Sequence, residues 1–143
     1  MTLVFLGYQR ESDIDRIAEV VVKSVEKPRE AALAPRAVLA VPRRGPRLFA
    51  LDLDDQEQVA HDLFQKTSQA LADTGFYKPE KRPFWAHITL ARIRRGFRGS
   101  DFAPQSLPPA LTAGELTLYR SHLRPEGAHY EALAKLELTN SFE

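Results

Sequence analysis

Residues 71–92 read LADTGFYKPEKRPFWAHITLAR. The stretch runs from the end of an amphipathic helix, through a loop punctuated by Pro79 and Pro83, into a short β-leaning segment. Gly75 stands where a helix ending near residue 74 wants a left-handed residue. In the strand expected at about 85–93, alternate side chains share a face, so His87 and Thr89 point one way and Ile88 and Leu90 point into the core. Lys81, Arg82 and Arg92 are near neighbours in the chain. An imidazole that titrates close to neutrality, a hydroxyl donor and nearby cations are the equipment for moving a proton at a phosphate. The same tripeptide also suits a surface histidine on a half-exposed strand.

Upstream, a helix expected at about 55–74 carries Val59, Leu63, Phe64, Thr67, Ala70 and Leu71 along one face, with Asp54 or Asp55 as its cap. Before it, AVLAVPRRGPRLFALDLD (37–54) reads as two β runs joined by a turn from Pro42 to Pro46. TLVFLG opens a strand at 2–8, and SDIDRIAEVVVKSVEK (12–27) follows with apolar residues at 14, 17, 18, 21, 22 and 25, the helical period. Ser12 and Asp15 form a capping pair at its start and Pro28 helps to end it. Downstream, 94–110 reads as an irregular loop rich in Gly, Pro and Arg, and ELTLYRSHL (115–123) with HYEALAKLEL (129–138) reads as a terminal hairpin. Strands and helices mix in an α+β pattern rather than alternating strictly.

A chain of 143 residues holds one domain with a sizeable core, and 43% hydrophobic with 27% charged residues is a soluble, globular composition. The absence of cysteine excludes disulfides, thiolate metal sites and cysteine nucleophiles. TLVFLG is too short for a membrane span and lacks the basic flank of a secretory signal, which favours the cytoplasm. The net charge of +1 rules out a generally basic coat but not local patches: Arg43, Arg44 and Arg47 cluster, as do Lys78, Lys81, Arg82, Arg92, Arg94, Arg95 and Arg98. Arg82 and Arg92 bracket His87 at five residues on either side and are the candidates for gripping a phosphate. Ideal alternation puts Arg92 on the wrong face, so its role needs a bulge, a strand end or a long reach. His61 is expected to face water, and His122 and His129 to flank the hairpin turn with no carboxylate spacing that suggests a metal.

One long-range repetition links the two ends of the chain. With Thr2-Leu3 set over Thr89-Leu90, Met1 falls on Ile88 and the counterpart of His87 falls before Met1.

In this order, TLVFLG, VPRRGPRLFALDLD, LADTGFYKPEKRPFWAHITLAR and SHLRPEGAHYEAL resemble, over nearly the whole chain, the RNA 2′,3′-cyclic phosphodiesterases, also called 2′-5′ RNA ligases, of the 2H phosphoesterase superfamily. The resemblance implies an α+β fold of two pseudo-symmetric lobes of mainly antiparallel sheet, with outer helices, flanking a central cleft. Each lobe would give one H-x-T-x motif: His87 and Thr89 are the second, and Thr2 is the threonine of the first. Residues 1–143 would then be a single domain lacking the family's N-terminal strand, helix and first histidine. The implied activity is metal-independent hydrolysis of an RNA 2′,3′-cyclic phosphate to a 2′-phosphate by paired histidines, with 2′-5′ ligation as its reverse. Arg82, Phe84 and Arg92 would bind substrate, no cofactor is expected, and the protein would be a cytoplasmic monomer whose partner is RNA or a nucleotide. The alternatives are a non-catalytic RNA- or nucleotide-binding module and a superfamily member acting on a small cyclic nucleotide.

Overall fold

The computed structural model describes residues 1–94, 96 and 106–140. The element order is a 3-10 turn at Glu11–Asp13, helix α1 (Ile14–Ser24), strands β1 (Ala31–Val41) and β2 (Leu48–Asp54), helix α2 (Val59–Asp73), then strands β3 (His87–Arg92), β4 (Leu111–Ala113), β5 (Glu115–Arg124) and β6 (Gly127–Glu137). The strands form two antiparallel sheets, one in the order β3-β2-β1-β4 and one made by the β5-β6 hairpin. The α+β class expected from the sequence is what the chain adopts. Among the described residues no helix is long and apolar enough to cross a membrane.

Helix α2 covers one face of the four-stranded sheet, because Val59, Ala60 and Leu63 bury against Leu33, Leu51 and Leu53. Phe84, Ile88 and Leu138 add to that cluster. A second cluster joins Ile17 and Val21 of α1, Leu71 of α2, and Leu116 and Leu118 of the hairpin. Leu116 touches both clusters, and so couples the two sheets. Thr139 fastens the end of the hairpin to the start of β1: its hydroxyl donates to the Pro28 carbonyl over 2.7 Å, and its own carbonyl accepts from the Glu30 amide over 3.0 Å.

Several expectations need correction. Residues 2–8 form no strand; Leu3 packs on the first cluster and Val4 and Leu6 on the second, but an apolar run becomes a strand only when a neighbour supplies a ladder. The Ser12–Asp15 capping pair is not formed. The chain is already wound into the 3-10 turn at Ser12, whereas a cap residue must be extended; Asp13 instead pairs with Arg10 at 3.4 Å. Strand β1 begins earlier than expected, because Pro35 pairs with Leu53 beside a bulge at Arg36, where the ladder tolerates the missing amide. The short β4 was not foreseen.

Helix α2 starts later than expected. Residues 55–58 make a turn closed by the Gln58 amide on the Asp55 carbonyl, and the Asp55 carboxylate reaches past it to accept the His61 amide at 2.8 Å. The other end is as expected: Gly75 has φ +80, and the Gly75 and Phe76 amides return to the carbonyls of Ala72 and Leu71.

Candidate active site

Among the described residues, strand β3 lies at the edge of its sheet and pairs only with β2. The register sets His87 opposite Asp52, Ile88 opposite Leu51 and Thr89 opposite Ala50, but then Ala91 opposite Phe49 and Arg92 opposite Leu48. Leu90 is the extra residue. Partners directly opposite share a face, and Leu48, Ala50 and Asp52 alternate along β2, so the bulge brings Arg92 onto the face that carries His87 and Thr89. Leu90 itself is 44% exposed, a correction to its expected core position with the same cause. Ile88, as expected, turns toward α2 and packs on the core.

The imidazole is held from two sides. Its Nδ1 lies 2.8 Å from the backbone carbonyl of Trp85, and since a carbonyl only accepts, Nδ1 carries a proton in that bond. In the neutral ring Nε2 is then left with its lone pair free; in the charged ring it carries a transferable proton. The indole of Trp85 stacks on the imidazole with centroids 4.1 Å apart and planes 14° apart. Trp85 Nε1 donates to Asp52 Oδ1 at 2.8 Å, and Arg36 Nε, from the bulge in β1, donates to Asp52 Oδ2 at 3.2 Å.

The remaining candidates are spread around this centre. Thr89 and Arg92 are exposed. Arg82 is exposed in the bend that precedes β3. Thr2 is exposed, and its neighbour Leu3 packs on the cluster that contains Ala86, the residue before His87. Phe84 faces α2, where its ring stacks on Phe64 at 4.7 Å, and the aromatic ring beside His87 is that of Trp85. The backbone also joins the basic turn to the site, because the Ile93 amide donates to the Arg47 carbonyl at 2.8 Å. Arg43, Arg44, Arg47, Arg92 and Arg94 thus occupy one end of the sheet, all exposed, whereas Arg95 and Arg98 lie outside the described residues.

The other histidines sit apart. The His61 ring meets Phe84 edge-on at 6.1 Å, on the α2 side. His122 and His129 are cross-strand partners in the hairpin, and Glu131 does reach His122, at 2.8 Å. Among the described residues no group of three or more His, Cys, Asp or Glu is placed to hold a metal. A separate hollow among Tyr8, Arg10, Arg16 and Phe76 contains none of the candidate residues.

No family model matches the chain. It is 28% identical, over 97% of its own length and 76% of the relative's, to an RNA 2′,3′-cyclic phosphodiesterase of Bacillus subtilis. Its structure superimposes on LigT of E. coli, solved as a complex with 3′-AMP, with a TM-score of 0.73, 22% identity and coverage of 97% and 76% of the two chains. The fold is that of LigT. A second crystal structure, TT0787 of Thermus thermophilus, gives a TM-score of 0.70 at 24% identity, covering 98% of this chain and 78% of the other. The resemblance to the 2H superfamily and to its RNA cyclic phosphodiesterases, read first from the motifs, is therefore borne out by a curated relative and by the architecture.

Sequence reasoning missed Trp85, Asp52 and Arg36. Trp85 was within reach, since it stands two residues before His87 and the same alternation puts both on one face. Asp52 and Arg36 carry no local signal, because only the pairing of β1 and β2 with β3 brings them together.

Proposed function

We propose that this chain acts as a metal-independent RNA 2′,3′-cyclic phosphodiesterase, with His87 as one of two catalytic imidazoles. The observation that carries the reading is the assembly of His87, Thr89 and Arg92 on one face by the Leu90 bulge, with Nδ1 of His87 engaged and Nε2 available. Opening a cyclic phosphate requires a base for the attacking water and an acid for the departing 3′ oxygen, in line across phosphorus. An imidazole fixed through Nδ1 performs either task at Nε2. Thr89, and Thr2 in the opposite motif, would donate to the non-bridging oxygens, and Arg82 and Arg92 would offset their charge. Water attack with departure of the 3′ oxygen leaves a 2′-phosphate. With an RNA 5′-hydroxyl attacking in place of water, the same geometry makes a 2′-5′ bond.

The basic end of the sheet favours an RNA chain over a small cyclic nucleotide, because phosphates beyond the reacting one would meet Arg43, Arg44 and Arg47. The test compares a cyclic-phosphate-ended oligonucleotide with the cyclic mononucleotide. The oligonucleotide should have the lower KM and lose that advantage as salt rises. His87→Ala should reduce turnover of both by about 10²- to 10⁴-fold. Undiminished turnover in that variant would overturn the catalytic assignment, and tight binding without any turnover in the parent would favour a non-catalytic RNA-binding module.

A further inference from the structure

We infer that Trp85 and Asp52 form a positioning pair for His87, with Arg36 setting the second oxygen of the carboxylate; the inference rests on the catalytic reading above. Three contacts carry it. The Trp85 carbonyl fixes Nδ1, the Trp85 ring limits rotation of the imidazole about its side-chain bonds, and Asp52 fixes the indole by its one polar atom. Asp52 suits the task because both of its oxygens are engaged, one by the indole and one by Arg36 Nε, while its side chain is only 13% exposed. Arg36 also lies 3.8 Å from Asp54, so its guanidinium spans two carboxylates along β2.

The arrangement compensates for where His87 sits. Among the described residues strand β3 is an edge strand and His87 is its first residue, so the ladder runs on for just one bond before the imidazole, from the Leu53 amide to the Ala86 carbonyl at 3.0 Å. A freely turning ring would sweep Nε2 away from the line of attack, and displacement of a reacting group by about 1 Å can cost about 10²-fold in rate. Trp85 holds the ring through a contact that crosses from the segment before β3 to β2. The carboxylate that receives it belongs to the residue directly opposite His87, in the central part of the sheet.

The experiment is a double-mutant cycle on Trp85→Phe and Asp52→Leu in the full chain, with Asp52→Asn as the conservative variant. Phe keeps a flat ring and the backbone carbonyl but has no N–H to give; Asn keeps an acceptor for the indole. Each of the first two should lower kcat by about tenfold at nearly constant KM, and together they should do little more than either alone. Asp52→Asn should stay within about threefold of the parent. Independently of turnover, long-range ¹H–¹⁵N correlation spectra should show His87 of the parent as a single Nδ1–H tautomer. The ring should move to a mixture of tautomers in Trp85→Phe and Asp52→Leu but not in Asp52→Asn. A parent that fails to hydrolyse cyclic phosphates would remove the catalytic reading, and the spectra would still decide the positioning role. Additive losses in the cycle, or a tautomer unchanged in both disruptive variants, would overturn it, and Trp85→Phe serves that purpose should Asp52→Leu not fold.

Discussion

Thr89 has no packing task, because it is exposed while its neighbour Ile88 is drawn into the core. Removing its hydroxyl should therefore act on chemistry and not on stability. We expect Thr89→Ala to lower kcat by about 10²-fold, the usual share of one preorganised donor to a developing negative oxygen, with an unchanged urea midpoint. Gly75 is the opposite case. A methyl group added there would meet nothing within 4 Å, yet its φ of +80 is one that a side chain resists. Gly75→Ala should cost about 1–2 kcal/mol in urea unfolding and leave kinetics alone, since the strain is local to the end of α2.

At the level of elements, the hairpin offers a pH-dependent contribution to stability. A hydrogen bond from His122 is the main cause that holds the Glu131 carboxyl below its ordinary value of 4.5; desolvation opposes it, and attraction from His122, Arg120 and His129 adds to it. A folded value below the unfolded one means that the contribution is complete above the unfolded value and is lost as pH falls through the folded one. Glu131→Gln should thus melt below the parent at neutral pH and converge with it in acid below the ordinary carboxyl range, as calorimetry across that window would show. The hairpin was legible in advance because alternation and the RPEGA turn are local signals. Local signals also gave β2, α2 and the Gly75 terminus. They failed where pairing decides: residues 2–8 have strand composition without a ladder, Pro35 is admitted to β1 by a bulge, and the Leu90 bulge reverses the face that alternation alone assigns to Arg92. Of the candidate site, His87 and Thr89 could be read from one tripeptide, whereas the Asp52–Trp85 contact exists only through the pairing of β2 with β3.

For the molecule as a whole, the three histidines other than His87 should be dispensable for turnover. The rings of His61, His122 and His129 are engaged elsewhere, with Phe84, Glu131 and one another. His61→Gln, His122→Gln and His129→Gln should therefore each leave cyclic-phosphate turnover unchanged. A large loss of turnover in any one of them would bring that ring into the candidate site. The placement of β3 at the sheet margin has a last consequence. Among the described residues the strand that bears the imidazole is laced along one side only, so it should come loose at denaturant concentrations that leave the helices and the inner strands standing. A urea titration should find catalysis fading ahead of the circular dichroism signal, and superimposable curves would mean that the margin is as firmly held as the middle.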